Sequence, residues 1–158
     1  MHYPPCMIII AHNIRSLHNV GSIFRNAAAF GIEKVYLTGI TGAPPRKEIA
    51  KVALGADELV DWEVGEIGEV IGKLKADGYQ VYGLETGEGA VSIDEFDGES
   101  ARLALVLGNE VDGLDDETRS RLNGLIEIPM HAKRSLNVSV ASGVAMYAII
   151  STCDRSQS

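Results

Sequence analysis

The chain has 158 residues, 46% of them apolar and 23% charged, with a formal net charge of −8. That length suits one domain, here residues 1–158, with a core that needs no disulfide staples. No apolar run approaches the roughly 20 residues of a membrane-spanning helix, so a soluble protein is expected. MHYPPC leads directly into MIII without the order of a secretory signal, so a cytoplasmic one is expected too.

Cys6 and Cys153 lie far apart with no CxxC spacing, which suggests neither a disulfide framework nor a zinc site. The histidines, His2, His12, His18 and His131, show no HExxH or paired spacing, and no metal is expected. The acidic total argues at first against nucleic acid, but the charges are unevenly placed. Residues 1–56 carry six Lys/Arg against two Asp/Glu, residues 57–127 five against nineteen, and residues 128–158 three against one. If the two basic ends meet in space, an acidic protein acquires a local positive surface that orients a polyanion.

In chain order, Met7 to Ala11 is an apolar run of strand length. Asn19 to Phe30 reads as a helix with an apolar stripe of Val20, Ile23, Phe24, Ala27, Ala28 and Phe30, and Gly31 is its natural stop. Ser22, Arg25 and Asn26 fall on its other side. A strand over Lys34 to Thr38 precedes the turn-rich GITGAPP and a basic helical piece from about Arg46 to Leu54. A short strand is expected at Leu59 to Trp62. A helix from Val64 to Ala76 follows, ended by Gly78.

Tyr79 to Leu84 is another strand, leading into the Gly-rich acidic ETGEGA. The continuous apolar run Leu103 to Leu107 has the pattern of a strand covered on both faces and enters GNEVDGL. An acidic helix near Asp115 to Leu122 and a strand Leu125 to Ile128 come next. The basic loop MHAKR then leads to a helix start at which Ser135 or Asn137 caps. Strands alternating with helices predict a parallel α/β sheet with helices on both faces.

In open sheets of this kind ligands sit beyond the carboxyl ends of the strands, which draws attention to GLETGEG, LGNEVDGL and IPMHAKRSLN. GxGxxG and GxxxxGK[ST] are both absent, so ordinary dinucleotide and ATP readings lose ground. A helix start at the third loop suits an anion or a polar ligand edge, and it is equally what an ordinary strand–loop–helix joint looks like.

Taken together, NVGSIFRNAAAFG at 19–31, LVLGNEVDGL at 105–114 and IPMHAKRSLNVSVASGVAMY at 128–147 resemble the three ordered motifs of the SpoU (TrmH-like) RNA 2′-O-ribose methyltransferases, of the wider SPOUT class. IRSLHNVGSIFR and PPRKEIAKVALGA resemble the compact members, so the similarity covers nearly the whole chain. The resemblance implies a sheet whose C-terminal part is threaded into a trefoil knot, and a homodimer. It implies S-adenosyl-L-methionine as cofactor, held by loops near Leu84, Glu85, Gly108, Ile128, Met130 and Leu136. Its polar set maps onto Asn19, Arg25, Glu110, Ser135 and Asn137.

The implied activity is methyl transfer to the ribose 2′-hydroxyl of a structured tRNA or rRNA. In such a reaction orientation and electrostatics carry most of the work. Arg25 is expected to steady the developing alkoxide and grip a phosphate, since guanidinium is hard to deprotonate. Glu110 is the alternative proton acceptor, or a ligand for asparagine and backbone groups. RNA contacts are expected from Arg15, Arg46, Lys47, Lys51, Lys133 and Arg134.

Two departures from the family pattern stand out. Met130 and Ser135 are separated only by HAKR, which shortens a cofactor loop, and Ala148 replaces a glutamate common after the tyrosine. The rival expectations are a catalytically idle RNA-binding protein on the same fold and a base rather than ribose methyltransferase.

Overall fold

A computed structural model of the chain describes residues 6–97 and 102–156, with backbone alone at 6 and 153–156. His2 and the thiols of Cys6 and Cys153 therefore lie outside the described residues. Among the described residues, seven strands form one sheet: β1 (Cys6–His12), β2 (Lys34–Thr38), β3 (Trp62–Gly65), β4 (Gln80–Leu84), β5 (Val91–Ser92), β6 (Arg102–Leu107) and β7 (Gly124–Glu127). Their spatial order is β3-β2-β1-β6-β4-β7-β5, and every ladder is parallel. The expected parallel α/β architecture is what the chain adopts.

The two-residue period of the central strands divides the core between the sheet's faces. Met7, Ile9 and Ala11 of β1 and Leu103, Leu105 and Leu107 of β6 face α1 (Leu17–Phe30), α2 (Lys47–Ala53), α3 (Ala56–Leu59) and α6 (Val138–Ser156). Ile8, Ile10, Ala104 and Val106 face the opposite way, onto Val70, Ile71 and Leu74 of α4 (Ile67–Ala76) and onto Leu114 and Leu122, which flank α5 (Asp116–Ser120). β6 is thus covered on both sides, as its unbroken apolar run predicts. Phe24, Ile9, Leu105 and their fully buried neighbours supply about 1.5–3 kcal/mol each.

Three local expectations are corrected. Leu59 is the last residue of α3 and is 80% exposed, so no strand spans 59–62. The strand runs instead from Trp62, where Val35 pairs with Trp62 and Leu37 with Val64. The following helix starts at Ile67 rather than Val64, because the Glu66 carboxylate accepts from the amides of Gly68 (2.9 Å) and Glu69 (2.8 Å) and so caps it. Finally, α1 begins two residues early: Ser16 Oγ accepts from the Asn19 amide at 3.2 Å, placing Asn19 in the first turn. Gly31 ends α1 in the left-handed conformation, φ 70°, as expected.

Candidate functional site

The loops after β4, β6 and β7 converge beyond the carboxyl edge of the sheet, where they enclose a cavity of about 460 Å³. Its wall contains every residue expected to hold a cofactor: Leu84, Glu85, Gly108, Ile128, Met130 and Leu136. Asn19, Glu110, Ser135 and Asn137 of the expected polar set stand on the same wall, together with Arg134. The shortened segment between Met130 and Ser135 still reaches the cavity.

The loop after β6 is shaped by its own hydrogen bonds. Asn109 Oδ1 accepts from the amides of Val111 and Asp112, both at 2.9 Å, and the Asn109 and Gly113 backbones bond reciprocally at 3.2 and 3.0 Å. A side chain at Gly108 would run into the backbone of Gly113 at 2.8 Å, so the two ends of the loop close because position 108 has no Cβ. Glu85 ties this loop to its neighbours. Its carboxylate accepts from the Leu114 amide and from Arg119, whose Nε in turn donates to the Leu114 carbonyl at 3.0 Å. Glu110 accepts from the Arg15 backbone amide at 2.9 and 3.2 Å, which makes it a binder of the loop after β1.

At the helix start beneath the third loop, Asn137 rather than Ser135 is the cap. Its Oδ1 accepts from the Ser139 amide at 2.9 Å and from the Ser139 hydroxyl. Ser135 is left exposed on the cavity wall. Asn19 is half-buried there, and its carboxamide has no hydrogen-bond partner among the described residues.

Arg25 is not in this cavity. It stands exposed on the outer face of α1, beside Ser22, Asn26, Phe30, Val52 and the α6 residues Ser139, Val140, Gly143 and Val144, with no ion pair among the described residues. Its neighbour Asn26 locks α1 to α6 by donating to the Ser139 carbonyl (2.8 Å) and to the Ser142 hydroxyl (3.0 Å). The expected RNA contacts are all exposed but dispersed. Arg134 borders the main cavity, and Arg15 a second one of about 470 Å³ beyond β1. Arg46, Lys47 and Lys51 sit at and on α2, while Lys133 lines neither cavity.

Sequence reasoning gave no role in the site to His12, Asn13, Asn26, Asn109 or Asp112, although Asn26 fell on the polar side of α1 and Asn109 and Asp112 within the second motif. Asn109 was the most accessible of these, since asparagine two residues before Val111 and four before a glycine is the composition of an Asx turn. His12 is 6% exposed; its Nδ1 lies 2.9 Å from Thr38 Oγ1 and its Nε2 3.2 Å from Asn13 Nδ2. Burial holds its pKa below the ordinary value, against the opposing pull of Asp115 and Glu66.

The wall suits a ligand with a flat apolar part and positive charge. Leu84, Ile128, Met130, Leu136, Val138 and Ala141 provide the apolar surface, and among the described residues Glu85, Glu110 and Asp112 outnumber the cation Arg134. Among the described residues no cluster of His, Cys, Asp and Glu is placed to hold a metal ion.

Residues 6–147 match the family model described as the SpoU rRNA Methylase family. The chain belongs to the SpoU rRNA methylase family. The 23S rRNA (guanosine-2′-O-)-methyltransferase RlmB of Xanthomonas axonopodis pv. citri is 34% identical over 146 residues, covering 91% of this chain and 58% of that protein. The chain thus spans a little over half the length of such relatives.

Among solved structures, the A. aeolicus TrmH/SpoU tRNA modifying enzyme superposes with a TM-score of 0.85 at 26% identity, covering 97% of this chain and 78% of the other. An AdoMet-bound rRNA methyltransferase from Sinorhizobium meliloti gives 0.86 at 26% identity, covering 94% and 57%. The SpoU fold accounts for the sheet order and for three loops meeting at one edge. In the described part of the chain no helix is long and apolar enough to cross a membrane.

Proposed function

We propose that this protein is an S-adenosyl-L-methionine-dependent methyltransferase acting on the ribose 2′-hydroxyl of a structured tRNA or rRNA in the cytoplasm. The observation that carries this is the convergence of Leu84, Gly108, Ile128 and Leu136 with Asn19, Ser135 and Asn137 on one cavity. S-adenosylmethionine supplies a methyl group on a sulfonium centre. Leu84, Ile128, Met130 and Leu136 would hold its adenosine, and the carboxylates of the wall favour its positive charge.

The chain's own residues then orient the ribose. Asn19 and Ser135 offer free polar groups where the 2′-hydroxyl must enter. As the hydroxyl gives up its proton and its oxygen takes the methyl group, a cation beside that oxygen stabilises the developing negative charge. Arg25 is that cation in our reading. Glu110 is occupied by the Arg15 amide, which favours a loop-holding role over that of a base.

Arg25 stands away from the cavity of its own chain, and a homodimer resolves this. Val140, Val144 and Tyr147 are 52%, 41% and 63% exposed, and their spacing along α6 aligns them in one apolar stripe next to Arg25. Pairing two copies through that stripe lets Arg25 serve the opposite subunit's cavity. The threading of the C-terminal part as a trefoil knot belongs to the same proposal, supported by the family membership and by β6 lying between β1 and β4. The single-domain reading of residues 1–158 does as well, supported by the one continuous sheet.

The test combines calorimetry with S-adenosylmethionine and a map of alkali-resistant ribose positions in cellular RNA with and without the gene. Binding together with the loss of one resistant site is expected. Absence of binding at high cofactor concentration would count heavily for the idle RNA-binding alternative. A methylated product that stays alkali-sensitive at the target would establish base methylation.

A further inference from the structure

Asn13 joins three loops at the edge of the sheet. It follows β1 in the left-handed conformation, φ 57°, and its amide donates to the Thr38 carbonyl at 3.1 Å. Its side-chain Oδ1 accepts from the Ile40 amide at 3.0 Å, in the loop after β2, and its Nδ2 lies 3.2 Å from His12 Nε2. Its carbonyl accepts from Asn109 Nδ2 at 2.8 Å. Asn109 is the residue that builds the loop after β6 and lines the main cavity. Two residues on, Arg15 makes the second tie, to Glu110.

We propose that Asn13 is a positioning residue for the cofactor cavity, clamping the loop that bears Asn109 through its backbone carbonyl while its side chain fixes that carbonyl's direction. The inference rests on the cofactor reading given above.

The geometry requires every part of Asn13. Asparagine is among the few residues other than glycine that enter the left-handed region readily, so the backbone turn that aims the carbonyl at Asn109 costs little. The turn is then held from behind by a packed polar cluster. The Thr41 hydroxyl donates to the Ala11 carbonyl at 2.9 Å and accepts from the Ile14 amide at 3.0 Å. The Thr38 hydroxyl leans on the same carbonyl at 3.5 Å and is therefore free to accept from His12 Nδ1–H.

That arrangement fixes the tautomer. His12 donates through Nδ1, which leaves Nε2 as an acceptor for the Asn13 amide group. A neutral histidine is required, which agrees with burial disfavouring its charged form.

The Asn13→Gly variant tests the clamp, because glycine keeps the left-handed backbone and deletes only the side-chain ties. In the cofactor-free protein, amide exchange at Val111 and Asp112 is expected to rise about tenfold, and the dissociation constant for S-adenosylmethionine to rise about tenfold, the size of one lost hydrogen bond. The turnover rate at saturating cofactor should change less than the affinity. Unchanged exchange at both amides would overturn the proposal, as would an affinity equal to wild type. If wild-type protein fails to bind S-adenosylmethionine, the cofactor reading falls, while the exchange measurement still decides the clamp.

A second variant gives a signature that a merely structural residue would not produce. Asn13→Asp keeps the acceptor for Ile40 but sets a carboxylate against the lone pair of His12 Nε2, and a protonated His12 restores that bond. Asp115, Glu66 and Asp112 nearby favour protonation, and Arg15 opposes it. Cofactor affinity of this variant is therefore expected to tighten as pH falls from about 7.5 to 5.5, relative to wild type. A parallel pH dependence in the two proteins would overturn the proposal.

Discussion

Glu85 and Arg119 meet at 2.9 Å across the mouth of the loop after β6, and between them they take both backbone groups of Leu114. The pair is only partly exposed, 18% for the carboxylate side chain and 36% for the arginine, so its worth lies in the hydrogen bonds more than in Coulomb attraction through solvent. Arg119→Ala is expected to cost about 1–2 kcal/mol in a urea melt. Gly113→Ala should cost more, because alanine is strained at a backbone φ of 66° and its Cβ would run into the Glu85 carboxylate that Leu114 and Arg119 hold in place. Equal melting midpoints for wild type and the Gly113 variant would show that Glu85 is not held there.

Gly21 lies in the first motif and faces α2. A Cβ there would meet the Ile49 carbonyl oxygen at 2.6 Å and Val52 Cβ at 3.0 Å, so the two helices approach because that position is bare. Gly21→Ala is therefore expected to destabilise by about 1–3 kcal/mol through overpacking. Gly72→Ala is the control. It sits in the exposed face of α4 with open space around it and should stabilise by about 0.5–1 kcal/mol. Paired denaturant melts read both signs in one experiment.

These two glycines also show what the sequence does and does not reveal. The stripe of α1 and the covered run of β6 are legible because periodicity reports which faces are apolar. Val64 misleads by the same logic, since it sits at helical spacing from Ile67 yet pairs with Leu37 in β3 and stands 60% exposed. Strand pairing and the Glu66 cap, both of which depend on neighbours, decide where that helix begins. At the site, the strand pattern places Leu84, Gly108 and Ile128 at the carboxyl ends of strands, and the fold brings the loops that follow them together. Arg25 is legible as a polar residue on a helix face, but not as one remote from its own cavity, because a helical wheel does not say what stands opposite. Asn26 shows the same limit: read as the polar side of α1, it is the tie to α6.

Acid is expected to weaken the fold in two stages. His12 is held below its ordinary 6.5 by burial, so the unfolded chain takes up a proton that the folded one refuses, and stability falls as pH drops below that value. Glu66 is held below 4.5 by the amides of Gly68 and Glu69, and Asp115 below 3.8 by Thr118. A carboxylate depressed in the folded state adds stability above its unfolded value and loses it as pH falls through the folded one. Urea midpoints measured from pH 8 to pH 3.5 should begin to fall below about 6.5 and fall further below about 4.5. His12→Gln should flatten the first stage and leave the second.

The dimer proposal places a definite demand on α6. Val144 stands in the exposed stripe between Val140 and Tyr147, within the patch that holds Arg25, while its neighbour Ala145 is fully buried. A charge at Val144 enters no core and costs the free subunit less than about 0.5 kcal/mol, yet two like charges facing each other across a paired apolar stripe are desolvated together. Val144→Glu is therefore expected to sediment as a monomer with an unchanged circular dichroism spectrum, to bind S-adenosylmethionine with wild-type affinity, and to lose methyl transfer at least about a hundredfold, as expected when a charge-stabilising group is withdrawn. Arg25→Ala should lose activity to the same extent while remaining dimeric. Mixing Arg25→Ala with Gly108→Val, whose added side chain runs into the Gly113 backbone and disables its own cavity, decides the geometry: if Arg25 works across the interface, activity reappears in the mixed pair, and its absence there, or full activity in a Val144→Glu monomer, would put the reacting arginine within its own chain.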